Sequence, residues 1–398
     1  MRDFLSDKVK KIQPSGIRKF FDLAAKSKDV ISLGVGEPDF VTPWEIRGAG
    51  IDALKNGQTQ YTSNKGLLEL RREISDYMKD RFSVCYDEED IIITVGASEG
   101  IDIALRSVVN PQDEILIPDP SYVSYKPCVE LLGGKAVSVP CDGENGFKLT
   151  PESIKSVITD KTKAIIFPYP NNPTGGIMEK EDIEKIIPVI LENDLLVISD
   201  EIYAELTYSA THVSIASFSQ LKERVILISG FSKAFAMTGW RIGYVCATNK
   251  EILGAMLKIH QYTAICAPIF SQIGALEGLR QGRVDGFNSI REMREEYDKR
   301  RKYFYANFNK IGLNCFEPKG AFYIFPNVSS TGLDGEQFAK KLLEKKNVAV
   351  VPGIAFGDFG KNYVRCSYAY SMKNLINAME KIAEFVYELK GEQNNEIQ

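Results

Sequence analysis

Val225-Ile226-Leu227-Ile228-Ser229-Gly230-Phe231-Ser232-Lys233-Ala234-Phe235-Ala236-Met237-Thr238-Gly239-Trp240-Arg241-Ile242-Gly243 opens as an apolar run and turns abruptly into small and polar residues. That pattern predicts a buried strand, residues 225–229, ending in a loop. One lysine, Lys233, stands past the strand end between Ser232, Ala234 and Phe235, and Arg241 follows it in the same loop. Partly apolar surroundings cost an ammonium its hydration, so such a lysine sheds its proton more easily and serves as an amine nucleophile or imine partner. The arginine keeps its charge, and its planar fork is shaped to hold a phosphate. A lysine beside a phosphate grip points to a phosphorylated aldehyde, which means pyridoxal phosphate. Read alone, the segment also fits a surface lysine and a structural arginine, so the rest of the chain has to decide.

At 398 residues the chain exceeds one average domain, and a two-domain α/β protein with a large shared core is expected. Its 44% hydrophobic and 26% charged residues are those of an ordinary soluble enzyme. A net charge of −4 and the lack of a basic block argue against nucleic acid as a partner. Seven cysteines without a CxxC pair, and only two histidines, His212 and His260, exclude a Cys/His zinc site, so no metal is expected. A disulfide framework does not suit a chain of this size. The first residues lack the apolar core of a signal peptide, and no apolar run is long enough to span a bilayer. The cytoplasm is the expected location.

From about residue 90 the chain alternates short β-branched runs with longer amphipathic stretches. Strands are predicted at 91–95, 114–118, 136–140, 164–167, 195–199, 225–229 and 244–247, with helices that include 99–109, 151–158 and 180–192. Alternation of this kind implies parallel strands with helical crossovers, and ligands then bind beyond the carboxyl ends of the strands. After residue 285 the pattern changes to a long charged helix at 290–308, short strands at 321–326, 348–351 and 363–368, and a last helix at 372–389. This reads as a smaller α+β domain. The polar tail 391–398 is expected to fray.

Other suspicious residues sit at the same strand ends. Val95-Gly96-Ala97-Ser98-Glu99-Gly100 joins a strand to a helix, where small residues let backbone N–H groups approach an anion; it is equally the form of a plain turn. Ile198-Ser199-Asp200-Glu201-Ile202-Tyr203 puts a carboxylate directly after a buried strand, which is costly without a charged partner. A protonated pyridine nitrogen would be one, and Tyr203 could then donate to the ring oxygen; a helix N-cap with a packed tyrosine is the other reading. Pro170-Asn171-Asn172-Pro173-Thr174-Gly175-Gly176 makes a rigid turn that would hold Asn172 in one orientation. Tyr122, in Pro118-Asp119-Pro120-Ser121-Tyr122, is placed to stack on a planar ring or to fill the core. Arg365 is a lone charge in the apolar run Tyr363-Val364-Arg365-Cys366-Ser367-Tyr368 and needs a carboxylate, internal or from a substrate.

Together these groups are what pyridoxal chemistry requires, and the chain resembles the class I/II aminotransferases of fold type I from about Ser15 to Leu389. The resemblance rests on Ser32-Leu33-Gly34-Val35-Gly36-Glu37-Pro38-Asp39-Phe40, Asn172-Pro173-Thr174-Gly175, Asp200-Glu201-Ile202-Tyr203 and Ser232-Lys233-Ala234-Phe235-Ala236-Met237-Thr238-Gly239-Trp240-Arg241, in that order. It implies an α/β fold: a large cofactor-binding domain at 45–285 with a mostly parallel seven-stranded sheet, a small domain at 286–398, and an N-terminal segment, 1–44, packed with the small domain. It further implies that Lys233 carries the cofactor as an imine. Asp200 would hold the ring nitrogen, Tyr203 and Asn172 the ring oxygen, and Tyr122 would stack on the ring. Ala97, Ser98, Ser232 and Arg241 would hold the phosphate, joined by Tyr61 from the partner subunit of a homodimer. Arg365, Asn172 and the backbone of Gly36 would take the substrate's α-carboxylate. At Gly230 some family members place a phosphate-binding serine, so one hydroxyl is missing here.

The implied reaction moves an amino group from an amino acid to a 2-oxo acid. The same scaffold hosts C–S β-lyases, but Thr238-Gly239-Trp240-Arg241 is more similar to the aminotransferase form of the motif. Transcription regulators of this fold carry a DNA-binding domain ahead of it, and the first motif here arrives by Ser32. Ser98 stands where prokaryotic relatives specific for aspartate often carry a lysine, which favours aromatic or broad neutral donors, with acetyl-diaminopimelate or aspartate as alternatives. By family analogy the acceptor is 2-oxoglutarate.

Overall fold

The computed structural model describes residues 2–12, 14 and 29–396, so the start of the family resemblance at Ser15 lies outside the described residues. Twelve strands are named here in chain order: β1 Ile31–Ser32, β2 Ile91–Thr94, β3 Glu114–Asp119, β4 Lys135–Pro140, β5 Thr162–Phe167, β6 Leu196–Asp200, β7 Val225–Gly230, β8 Gly243–Cys246, β9 Tyr323–Ile324, β10 Val348–Ala349, β11 Val351–Pro352 and β12 Val364–Ser367. Seven of them form one sheet in the order β2-β8-β7-β6-β5-β3-β4. Only β8 runs against its neighbours, pairing antiparallel with β2 and β7; the other pairs are parallel. The mostly parallel sheet expected from the alternation is therefore present.

Its central strands are apolar on both faces because both faces are covered. Ile91, Ile93, Leu116, Ile165, Val197 and Leu227 point into one hydrophobic cluster with the helices Leu68–Phe82, Lys180–Glu192 and Ile269–Asp285. The alternate residues Ile92, Ile115, Ile166, Ile198 and Ile226 point into another, with the helices Gly96–Val108 and Lys250–Thr263. A third cluster joins the helices Asn288–Lys310 and Met372–Glu396 to the three-stranded sheet β11-β12-β9. β1 pairs with β10, which ties the chain before the large sheet to its C-terminal part.

Four expectations need correction. The helix predicted at 99–109 begins at Gly96, because the small residues that read as a turn form its first turn. The helix at 151–158 ends at Lys155, where β-branched Val157, Ile158 and Thr159 take over. The strand at 348–351 splits: β10 pairs with β1 and β11 with β12, so the chain changes sheet at Val350. The last helix runs to Glu396, where fraying was expected from 391. Among the described residues no helix is long and apolar enough to cross a membrane.

One buried charge bears on stability. Glu205 accepts from Arg81 Nε and Nη2 at 2.8 and 2.7 Å and from the Tyr77 hydroxyl at 2.9 Å. Replacing Arg81 by Met leaves that carboxylate buried beside a neutral phenol, and should cost roughly 2 kcal/mol. Urea unfolding of Arg81→Met, alone and with Glu205→Met, checks this: the double variant should recover part of the loss.

Candidate active site

Beyond the carboxyl ends of β2, β3, β5, β6 and β7 lies a cavity of about 650 Å³. Gly36, Ala97, Ser98, Tyr122, Asn172, Asp200, Tyr203, Ser232, Lys233, Arg241 and Arg365 all line it. Residues separated by more than three hundred positions in sequence thus share one crevice. Tyr61 does not line it and is 79% exposed.

Lys233 is held where the loop after β7 turns. Its Nζ donates to Gly36 O at 2.7 Å and stands 5.7 Å from the ring centroids of Tyr203 and Phe322. Burial among these groups, helped by the charges of Arg365 and Arg241 and opposed by Glu37, brings its pKa down to about 8. The loop is braced from behind. Thr42 Oγ1 donates to Ala236 O at 2.6 Å, Trp240 Nε1 donates to Thr42 Oγ1 at 3.2 Å, and Ser271 Oγ donates to Trp240 O at 2.8 Å. The Trp240 ring fills the space a Cβ would take at Gly50 and Gly274.

Asp200 ends β6, buried, with the Tyr125 hydroxyl donating to Oδ2 at 2.7 Å and the Ile202 N–H to Oδ1 at 3.2 Å. Burial pushes its carboxyl above the usual range, while both donors pull it back. Tyr203 meets the hydroxyl of Tyr323 at 2.9 Å. Asn172 accepts at Oδ1 from Arg365 Nη1 at 2.8 Å, which turns its amide NH2 away from the arginine. The neighbouring Asn171 side chain bonds Thr174, and the N–H of Gly175 donates to Asn171 O at 2.9 Å, so the turn is internally fixed.

Arg365 is 3% exposed, and among the described residues no carboxylate lies within ion-pair range of it. It bonds Asn172 and Gly34 O, its plane lies over the rings of Tyr323 and Phe356 at 4.4 and 4.8 Å, and its Nε has no partner. Arg241, at φ 52, donates to Thr238 O at 2.9 Å. Its Nη2 would lie 2.6 Å from a Cβ at Gly96 (φ 75), so the guanidinium rests on the N-terminus of the helix Gly96–Val108. Backbone donors, helix dipole and a fixed cation meet there, the form of an anion cradle.

The segment Gly34–Phe40 gives Gly34, Val35, Gly36 and Glu37 to the cavity wall. Arg365 holds Gly34 O, Lys233 holds Gly36 O, and Arg300 Nη1 reaches both carboxylate oxygens of Asp39 at 2.9 Å.

A lysine with a lowered pKa, a buried carboxylate, an anion cradle and an unpaired arginine in one cavity fit pyridoxal phosphate and an amino-acid carboxylate. The model of the family described as aminotransferase class I and II matches residues 28–382. The chain belongs to that family. As a class I and II aminotransferase it is a pyridoxal-phosphate-dependent transaminase. It is 49% identical, over 97% of its length and 99% of the relative's, to YugH of Bacillus subtilis, described as an aminotransferase. It is 45% identical, over the same shares, to an aspartate aminotransferase of Pyrococcus abyssi. The crystal structure of an aromatic aminotransferase from Pyrococcus horikoshii matches at 43% identity and a TM-score of 0.89, covering 94% of this chain and 99% of that one.

The aminotransferase cavity also contains residues that sequence reasoning missed. Tyr125 opens the helix Tyr125–Leu132 just after Tyr122, and the two rings meet edge-on at 5.5 Å. Tyr323 sits among Phe322 and Phe325 with nothing to mark it, and Glu37, within a quoted motif, approaches Thr238 Oγ1 at 3.3 Å. At Gly230 the absent serine has a structural counterpart: a Cβ there would fall 2.8 Å from Gly243 Cα, so β7 and β8 close up where the side chain would start.

Only the neutral amine of Lys233 attacks a carbonyl. With a pKa of about 8, the rate at which apoenzyme takes up pyridoxal phosphate should climb with pH and level off above 8, and Lys233→Ala should show no covalent uptake. The native protein sheds this proton near 8 and the unfolded chain near 10.5, so the apoenzyme gains stability as pH rises through that window. Stopped-flow absorbance across pH checks the rate; a flat profile would contradict the lowered pKa.

Proposed function

We propose that this aminotransferase takes aromatic or other neutral amino acids as donors and 2-oxoglutarate as acceptor. The observation that carries the reading is the set of three cations, Lys233, Arg241 and Arg365, lining one cavity with no carboxylate paired to any of them among the described residues. Lys233 is assigned to the cofactor carbonyl, Arg241 to the phosphate and Arg365 to the α-carboxylate, which leaves no cation of this chain for a second substrate carboxylate. Glu37 adds a negative charge to the lining, and Tyr122, Tyr125, Tyr203, Tyr323, Ile101 and Pro170 give apolar and aromatic surface.

Bound pyridoxal phosphate supplies an electron sink for the charge left on the substrate Cα. In the proposed assignment, Asp200 keeps the ring nitrogen protonated, with Tyr125 steadying its Oδ2. Tyr203 and the Asn172 amide donate to the ring oxygen, and Tyr122 stacks on the ring. The N–H groups of Ala97 and Ser98, the Ser232 hydroxyl and Arg241 take the phosphate. The Lys233 amine, free of the cofactor carbonyl, would take the proton from the substrate Cα and hold it for return. Arg365, Asn172 and Gly36 fix the carboxylate so that the Cα–H bond faces Lys233.

Exposed Tyr61 is proposed to reach the phosphate of a second copy in a homodimer. Trp44, Ile51, Leu54 and Tyr262 are also exposed, which suits an apolar surface between copies. A cytoplasmic home is part of the same proposal. The aspartate aminotransferase of Pyrococcus abyssi, at 45% identity, favours a dicarboxylic donor as the second reading.

A half-reaction screen separates the two: the pyridoxal form is mixed with single amino acids and loss of its visible band is followed. Phenylalanine and tyrosine should react with higher efficiency than aspartate; aspartate in the lead would overturn the donor class. Arg365→Lys loses the two-pronged grip, and should lower efficiency for every donor by about 2 kcal/mol while leaving the unliganded spectrum intact. A variant with normal rates and a lowered melting temperature would reduce Arg365 to a packing role.

A further inference from the structure

Nothing in the sequence marks out Tyr323, yet it touches three parts of the site. Its hydroxyl lies 2.9 Å from that of Tyr203, its ring lies 4.4 Å under the Arg365 guanidinium, and a Cβ at Gly36 would fall 2.6 Å from its oxygen. The side chain is fully buried. Its strand, β9, pairs with β12, the strand of Arg365, through Ser367 opposite Tyr323 and Cys366 opposite Ile324. The ladder therefore fixes the spacing of ring and guanidinium.

We propose that Tyr323 is a positioning residue that turns the Tyr203 hydroxyl toward the cofactor and makes that hydroxyl respond to whether Arg365 holds a carboxylate. The inference rests on the assignments of Tyr203 and Arg365 made above. A phenol has one proton to give. If Tyr203 gave its proton to Tyr323, it would have none for the ring oxygen, so Tyr323 must be the donor of the pair. The cation over its ring makes it the better donor, because positive charge on the π face favours the phenolate. Burial raises the Tyr323 hydroxyl, and Arg365 and the Tyr203 bond draw it down. Tyr122 and Glu37 also face Tyr323, and Tyr122, Arg365 and Lys233 face Tyr203.

A carboxylate on Arg365 offsets that charge. Tyr323 then donates less strongly, and Tyr203 is a weaker donor to the ring oxygen in turn. A weaker donor there would leave the bound cofactor more basic, so its visible band would titrate at higher pH. Tyr323 thus links the carboxylate grip of Arg365 to the Tyr203 hydroxyl.

The test uses holoenzymes of the parent protein, Tyr323→Phe, Tyr203→Phe and the double variant, all of which keep their rings. The pH midpoint of the visible band is measured with and without 3-phenylpropanoate, a carboxylate that has no amine. Tyr203→Phe should raise the midpoint. Tyr323→Phe should raise it by roughly half to one pH unit, the size of a neutral hydrogen bond, and should shrink the further rise that 3-phenylpropanoate causes in the parent. Added to Tyr203→Phe, it should change nothing more. A Tyr323→Phe enzyme with the parent's midpoint and response, changed only in melting temperature, overturns the proposal. An unchanged midpoint in Tyr203→Phe would instead overturn the assignment of Tyr203 itself.

Discussion

A guanidinium buried without a carboxylate is the constraint around which this molecule is arranged. Among the described residues Arg365 holds its charge with neutral partners alone: the amide oxygen of Asn172, the carbonyl of Gly34 and the faces of two aromatic rings. Each comes from a different part of the chain, so satisfying this one side chain draws together the turn after β5, the segment after β1 and the small three-stranded sheet. Neutral partners offset only part of the desolvation cost of a charge. The remainder is recovered when an anion arrives, which is why such a site binds carboxylates rather than merely tolerating them.

Lys233 obeys the same logic with the opposite outcome. A guanidinium cannot give up its proton, but an ammonium can. Desolvation that leaves Arg365 charged and waiting therefore brings Lys233 down to a pKa of about 8, with Arg365 and Arg241 adding to the effect. Two basic side chains in one cavity are divided into a binder and a nucleophile by their intrinsic basicity. Asp200, which also lines the cavity, has burial pushing it toward the neutral acid, with Tyr125 as the counterweight.

The large sheet was legible because its strands are apolar on both faces and separated by amphipathic stretches, and those strand ends pointed to Lys233, Asp200, Asn172 and Tyr122 without any coordinates. What stayed hidden has physical reasons. Gly96, Ala97 and Ser98 have the composition of a turn, yet they form the first turn of a helix whose later residues bury Ile101, Ile103 and Leu105. Val350 looks like the middle of one strand, but the two residues on either side pair with different sheets, and pairing is not written in local composition. Tyr323 could not be told from Phe322 and Phe325, because all three are buried aromatics and only their neighbours in space differ. Trp240 stood inside the most informative motif, but its work is done behind the loop, against Gly50 and Gly274 from two helices.

The segment Gly34–Phe40, which lines part of the cavity, has a divided allegiance. Gly36 O takes its hydrogen bond from Lys233, in the loop after β7, while Gly34 O and Asp39 are held by Arg365 and Arg300, which belong to the C-terminal half. Whenever the Lys233 amine is committed elsewhere, the first of these ties is gone and the other two remain. Gly34–Phe40 then keeps the bond from Thr238 Oγ1 to Glu37 on one side and the ties of Gly34 and Asp39 to the C-terminal half on the other. The bonding state of a single nitrogen thereby shifts the balance of the segment's ties toward the C-terminal half.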